Sequence, residues 1–503
     1  MYDIDMDSVE MTLDVMKYVL NRITSVTPEL GQPKSEEELR ALVGETITEE
    51  GIGGEKAFQL FKDVLIKATV PVDHPRHLAF VPASPTRASI MFDLVTSASS
   101  IHGAYWMEGA GGIFCEMEAM KWLVSLAGLP KGAFGVFTSG GTAANLSAMV
   151  TARENWRKNP ENIGQKGLMI TSIGAHSSIK SMAKVIDADV RLVETEDRMT
   201  QEDLQEKIES LTQEQRKRLF AVVATGGTTN AGIIDDLEGI ATICETENLW
   251  FHVDAAYGGG ALAADSVRHL FTGIERADSI TIDPHKWLFS PYDCGAILYK
   301  NPELAKEAHA QEGSYLEIFK DPGAHGFNPS DYQIQLTRRV RGLPLWFSLA
   351  MHGTNKYKSS VEQGIYLAQL AGKLITENPN VELVREPSLS CVLFRRKGWT
   401  PDDYRNWTYK NHREGFALVT PTKWRTGDEF ETVARFCFKI SGSLLSPFSN
   451  SDTTSLIFSV VSLRTSSVSA AVHLYCSLSL AIGASISAST FAGSISIVSF
   501  GVA

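Results

Sequence analysis

Lys286 stands in the run ADSITIDPHKWLF, directly after an apolar segment and before Trp287, Leu288 and Phe289. A lysine held in apolar surroundings can have its pKa lowered, which turns the amine into a nucleophile able to condense with a carbonyl group. About thirty residues earlier, Asp254 closes the apolar segment LWFHV. An acid in that position costs free energy unless a cation partners it. A pyridinium nitrogen is one such cation, and the carboxylate would keep it protonated so that an aromatic ring could act as an electron sink. Taken alone, Asp254 reads equally well as a cap or an ordinary ion pair; its spacing from Lys286 is what favours chemistry.

Three further motifs follow apolar runs. In FTSGGTAANLSAM a strand, a glycine-rich turn and a helix start succeed one another. That order aims backbone N–H groups and the positive helix end at an anion such as a phosphate. Gly140 and Gly141 permit close approach, Ser139 and Thr142 add hydroxyl donors, and His285 beside the lysine is a further donor for the same phosphate. In IGAHSSIK, His176 lies just past the run GLMITS, where an imidazole can stack on an aromatic cofactor, bind a carboxylate or cap a helix. In ATGGTTNAG, Thr228 is placed either to touch a cofactor or to serve the turn.

The elements that must position these residues are legible as a rhythm. From about Gly132, the runs GAFGVFTS, GLMITS, RLVET, LFAVVAT, WFHVDAA, SITID and GAILY alternate with amphipathic stretches such as AANLSAMVTARENWRK and SSIKSMAKVI. Near-continuous apolar strands separated by helices signal an α/β fold with a mostly parallel sheet covered on both faces. Ligands gather at the carboxyl ends of such strands, where all these motifs fall. After about Gly353 a long helix (KYKSSVEQGIYLAQLAGKLI) and strands around SCVLFRRK, GFALVTP and TVARFCFKI predict a smaller α+β domain. Before the sheet, residues 1–73 read as a helical arm, with helices from Asp7 to Ile23 and after Gly54 flanking a polar linker that holds one short helix. The arm has little core of its own and needs something to pack on, such as a partner subunit. The expected division is therefore an arm (1–73), a large α/β domain (74–365), a small C-terminal domain (366–440) and a tail (441–503).

Composition narrows the function classes. The 503 residues are 44% hydrophobic and 21% charged, as in ordinary globular proteins. A net charge of −12 with no basic run argues against nucleic-acid binding. Six cysteines are scattered without a CxxC pair, which favours reduced thiols over a disulfide framework or a zinc site; no metal is expected. The acidic start MYDIDMDSVEMTLDVMKYVL lacks the layout of a secretory signal, so a cytoplasmic enzyme is expected. The tail is rich in Ser, Ala, Ile, Val and Leu and nearly free of charge. Frequent serines and missing basic or aromatic flanks make it a low-complexity extension, or an aberrant end to the reading frame, rather than a membrane span.

The succession TSGGTAANL, AHSSIK, GGTTNAG, HVDAAYGGG and DPHKW resembles the group II pyridoxal-phosphate (PLP)-dependent amino-acid decarboxylases, which include aromatic-L-amino-acid, glutamate and 2,4-diaminobutyrate decarboxylases. HPRHLAFVPASPT (74–86) and QLTRRVRGL (335–343) extend the resemblance to about Ile440. It implies a fold-type I PLP enzyme: a large seven-stranded α/β domain, a small C-terminal domain and an intertwined homodimer with sites at the subunit interface. It also implies roles. Lys286 resembles the Schiff-base lysine and Asp254 the partner of the ring nitrogen, with Ala256 and His176 on the two ring faces. Gly141, Thr142 and His285 would hold the phosphate, with Thr228 nearby. Phe80 and Pro82 would face the substrate, an amino acid, together with His102 and Trp106, and Arg435 resembles an arginine near its carboxylate. The family's proton donor is a tyrosine on a mobile loop. Here the matching position falls near Pro329, leaving Tyr332 or His325 as candidates. Alternatives to decarboxylation are another PLP reaction, such as oxidation, transamination or carbon–carbon cleavage, and a non-catalytic PLP-binding protein, given the unusual tail.

Overall fold

A computed structural model of the chain describes residues 5–25, 29–82, 84–311, 326–427 and 429–439. His325 and the tail call for nothing here, since both lie outside the described residues. The large sheet has seven strands: β1 (Phe134–Thr138), β2 (Gly167–Ser172), β3 (Ala188–Val193), β4 (Leu219–Thr225), β5 (Trp250–Asp254), β6 (Ser279–Ile282) and β7 (Gly295–Tyr299). They lie in the order β1-β7-β6-β5-β4-β2-β3, and β7 runs antiparallel to both its neighbours. The fold is thus the mostly parallel α/β sheet of a fold-type I enzyme. Every residue of β2, β4, β5, β6 and β7 is buried.

Successive strand residues point to opposite faces, and here the two sets feed two separate cores. Ile170, Val222, Val253 and Ile280 belong to one core; Met169, Ala221, Val223 and Trp250 belong to the other. Burying each of the larger apolar side chains stabilises the fold by about 1.5–3 kcal/mol. The second core is closed by the helix Gly141–Trp156 through Ala144, Ala148 and Met149. His252 and Asp254 share the parity of Trp250, so their side chains emerge under that helix.

The small sheet is antiparallel, with strands β8 (Val381–Leu383), β9 (Cys391–Arg396), β10 (Thr420–Thr426) and β11 (Glu429–Cys437) in the order β10-β11-β9-β8. The helices Thr354–Thr376 and Pro401–Arg413 cover it, packing Leu367, Ala371, Tyr404 and Trp407 against Phe394 and Phe436. One strand lies later than expected. GFALVTP contributes only its last two residues to β10, because Leu418 is instead drawn into a bridge with His77. Leu78 N–H donates to Leu418 O at 2.8 Å and Cys437 N–H to Leu78 O at 2.9 Å, so the chain around His74–Pro82 is stitched to the small sheet.

Before the sheet, helices span Met6–Thr24, Glu36–Val43 and Gly54–Leu60, as the arm's periodicity predicts. The first buries none of its residues within this chain. Among the described residues no helix is long and apolar enough to cross a membrane.

The motif QLTRRVRGL is anchored by a buried ion pair: Arg338 Nη2 lies 2.7 Å from Glu116 Oε1 on the helix Trp106–Ala127. The same oxygen accepts from Gly342 N–H at 2.8 Å, and Arg338 Nη1 donates to Gly103 O at 2.6 Å. Removing one partner leaves a buried charge unopposed. Glu116→Leu is expected to lower the unfolding free energy by about 3–5 kcal/mol, measured by urea denaturation.

Candidate active site

Strands β1, β2, β4, β5 and β6 run in one direction, so the turns that follow them open along one edge of the sheet. These turns enclose a cavity of about 540 Å³. Gly141 and Thr142 reach it from β1, His176 from β2, Asp254 and Ala256 from β5, and His285 and Lys286 from β6. Seven residues singled out in four separate motifs therefore converge on one space.

At its floor, Asp254 is held by a chain of hydrogen bonds. Asn145 Nδ2 donates to Asp254 Oδ2 at 2.9 Å, and Ala256 N–H donates to Oδ1 at 3.2 Å. His252 Nε2 lies 3.0 Å from Asn145 Oδ1, and its Nδ1 lies 2.8 Å from Ser279 Oγ, which also accepts from Trp250 Nε1–H at 2.8 Å. Because Asn145 presents its amide N–H₂ to the carboxylate, its oxygen must accept from His252, so Nε2 carries the imidazole proton. Burial lowers the pKa of His252 from 6.5 to about 4, although Asp254 opposes this, and the ring is neutral at physiological pH.

At one wall the helix Gly141–Trp156 begins without a side-chain cap, which leaves its N–H groups and positive dipole end facing the cavity. Gly140 has φ of +137°, and a Cβ on Gly295 would come within 2.5 Å of the Gly140 backbone. Only glycines allow this turn to lie against the start of β7.

Lys286 Nζ sits 3.1 Å from Asp283 Oδ2, and His285 Nε2 lies 3.7 Å from the same oxygen. The sequence suggested a lowered lysine pKa; the structure reverses that direction. Burial pushes it down, but Asp283 and then Asp254 outweigh burial, and it is raised above 10.5. Burial lowers the pKa of His285, with Asp283 acting against it. The His285 Nδ1 lies 2.7 Å from Cys294 O. His176 caps the helix Ser177–Val185, its Nδ1 accepting from Ser178 N–H at 3.2 Å, and still reaches the cavity rim. It caps and lines at once.

Other candidates are not brought to the cavity. Thr228 Oγ1 accepts from Ile233 N–H at 3.1 Å, so the hydroxyl serves the turn; Gly227 and Thr229 line the cavity instead. Tyr332 is buried in the second core, its ring stacked on Phe327 at 4.6 Å, and desolvation raises its pKa to about 12. It is not poised to give a proton in the cavity. Arg435 is spent on Asn230 O (3.0 Å), Thr229 O (2.5 Å) and Cys391 Sγ (3.2 Å). His102 pairs with Glu108 at 2.6 Å, and Trp106 packs on Gly326. Pro82 is buried away from the cavity, whereas Phe80 projects outward, 64% exposed at φ +57°.

Three contributors escaped notice although each lies in a quoted motif. Asn145 follows Gly141 by one helical turn, His252 precedes Asp254 by one strand repeat, and Asp283 precedes Lys286 by three. Their partners come from the fold: Asn145 meets Asp254 and His252 meets Asn145 across separate elements, and only Asp283 stands near its partner in sequence.

An amine, a buried carboxylate and an uncapped helix end around one cavity define a site for a phosphorylated aromatic aldehyde. Two buried polar atoms at its border, Thr225 Oγ1 and Asp283 Oδ1, have no protein partner among the described residues. The donor set therefore fits PLP. The family described as the pyridoxal-dependent decarboxylase conserved domain matches residues 37–397. Aromatic-L-amino-acid decarboxylase of Bacillus atrophaeus is 30% identical over 393 residues, covering 77% of this chain and 80% of the relative. L-2,4-diaminobutyrate decarboxylase of Acinetobacter baumannii is 31% identical over 380 residues, covering 71% and 74%. The crystal structure of Oryza sativa TDC with PLP and tryptamine superposes with a TM-score of 0.82 at 22% identity, covering 92% of this chain and 99% of that one. The chain belongs to the pyridoxal-dependent decarboxylase family; it is a PLP-dependent enzyme that decarboxylates an amino acid.

The His252 network carries a pH signature. The folded pKa, about 4, lies below the ordinary 6.5, so the unfolded chain binds the proton first as pH falls. The histidine's contribution is present above 6.5 and is lost progressively towards pH 4, about 3 kcal/mol in all. Urea titrations across that window should show stability falling, and His252→Gln should flatten the slope.

Proposed function

We propose that Lys286 binds PLP covalently, that Asp254 pairs with the ring nitrogen, and that Gly141, Thr142 and His285 hold the phosphate, with Ala256 and His176 on opposite ring faces. The observation that carries this assignment is the convergence of Lys286 and Asp254 on one cavity beside an uncapped helix end. PLP, when bound, supplies an electron sink for the bond between the α-carbon and the carboxylate. Asn145 and Ala256 N–H fix the Asp254 carboxylate so that it favours a proton on the ring nitrogen. The helix end and Thr142 orient the phosphate and thereby the ring. His176, whose Nδ1 is occupied by Ser178 N–H, keeps its proton on Nε2 at the rim, where it can meet a substrate carboxylate. Lys286 would hold the cofactor and supply the amine that exchanges with that of the substrate.

The same reading makes the enzyme a cytoplasmic homodimer. Val9, Leu13, Met16 and Leu20 form an exposed apolar stripe on the helix Met6–Thr24, and Met91, Leu94, Met107 and Phe114 are exposed on the helices Arg87–Ala98 and Trp106–Ala127. Apolar surface of that extent calls for a partner. A homodimer would also give a role to the exposed Phe80 loop, which its own chain's cavity does not use. The five described cysteines are free thiols, in keeping with a reducing compartment.

The test is a panel of aromatic, acidic and diamino L-amino acids assayed for CO2 and amine, with aldehyde and hydrogen peroxide measured alongside. CO2 and amine in equal amounts are expected with at least one of them. Lys286→Ala should abolish turnover and the visible absorbance of bound cofactor. Borohydride reduction of the wild-type holoenzyme should leave a pyridoxyl group on Lys286; its appearance on another lysine would refute the assignment.

A further inference from the structure

The carboxylate of Asp283 stands out because the roles above leave it unused. It is 3% exposed, lines the cavity, and has one oxygen without a partner among the described residues while the other faces Lys286 Nζ at 3.1 Å. Its place is fixed from both sides. The chain turns sharply after β6, with Asp283 N–H donating to Ala256 O at 3.0 Å and Lys286 N–H to Asp283 O at 2.9 Å. Across the cavity, a Cβ on Gly141 would lie 3.0 Å from Asp283 Oδ2, so the helix start closes on the carboxylate. An acid so confined cannot turn to bulk water, and the lysine amine is the one cation paired with it among the described residues.

Resting on the assignment of Lys286 as the cofactor-binding lysine, we propose that Asp283 is the positioning residue that holds Lys286 as an ammonium ion, directed into the cavity, whenever that lysine is free of cofactor. The charged and titratable groups around the pair come from four elements. Asp254 at the end of β5 and Tyr292 ahead of β7 favour the cation; His285, beside the lysine, and His176, which also lines the cavity, are imidazoles. Asp283 acts more strongly than Asp254 or Tyr292, and together they overcome the burial that would neutralise the amine.

The chemistry has a use for this. Decarboxylation replaces a carboxylate by hydrogen: the amino-acid zwitterion plus one proton gives CO2 and the protonated amine, so each turnover consumes a proton. An ammonium ion kept at the cavity floor is a proton donor already inside the site. Tyr332, one of the two donors the sequence offered beside His325, is stacked in the second core. In cofactor capture the order is reversed: Nζ first loses its proton to water, then a C=N bond forms while the aldehyde oxygen leaves as water.

The experiment uses the full-length chain freed of cofactor, with Lys286 labelled by acetic anhydride over a range of pH and its peptide read by mass spectrometry. Only the neutral amine reacts, so the labelling midpoint reports the lysine's proton affinity without PLP or turnover. In the wild type the midpoint is expected above 10.5, the ordinary value. In Asp283→Asn it should fall by at least about one pH unit, which raises labelling at pH 8 about tenfold. Asp254→Asn should shift it less. An unchanged midpoint in Asp283→Asn, or a larger shift in Asp254→Asn, overturns the proposal. Should the Asn variant fail to fold, the wild-type midpoint decides, since an amine already mostly neutral at pH 8 is incompatible with an ammonium held by Asp283. Borohydride labelling of a different lysine would instead remove the cofactor assignment while leaving the labelling result standing.

Discussion

A carboxylate at the end of a fully buried central strand has to be hydrogen-bonded, and most of the site follows from how Asp254 meets that requirement. Burying an ionised acid without compensation costs several kcal/mol. Here the compensation comes from Asn145 and Ala256 N–H, and Asn145 is itself oriented by His252. That chain of bonds fixes the helix Gly141–Trp156 over the sheet, and the placement of that helix decides where its uncapped start opens. The floor and the anion-binding wall are consequently one construction. An error in either would be felt in both.

The second constraint is strand direction. Because six strands run together, residues far apart in sequence are delivered to one edge, whereas β7, running against them, starts at that edge and sends the loop that follows it to the other. The small sheet joins this arrangement from outside, through the His74–Pro82 segment and through Arg435 on β11. Its contribution to the cavity is indirect: it holds the turn at Thr229 and Asn230 rather than presenting groups of its own.

The large sheet was legible because its strands are apolar on both faces and bounded by glycine-rich turns, a pattern few other elements share. The residues at the strand ends were legible for the same reason, since the edge that collects ligands follows from strand polarity. What escaped were features set by contacts between distant segments. The displacement of β10 depends on Leu418 finding His77, more than three hundred residues away. The raised proton affinity of Lys286 depends on two acids whose distances no spacing rule supplies. Tyr332 was carried forward from a loop motif, but Phe327 and the second core claim its ring. Phe80, His102 and Trp106 were named by resemblance alone, and nothing in their local pattern says which cavity they face.

The grip of Arg435 on the Thr229 and Asn230 carbonyls has a mechanical side. Thr229 borders the cavity and β11 is an inner strand of the small sheet. A guanidinium that bonds two successive carbonyls and a thiol resists both sliding and twisting, because every displacement lengthens at least one of the three contacts. Tilting of the small sheet is thereby transmitted to the lip of the cavity as strain in one short turn, so the two sheets behave as a single lever rather than as halves of a hinge.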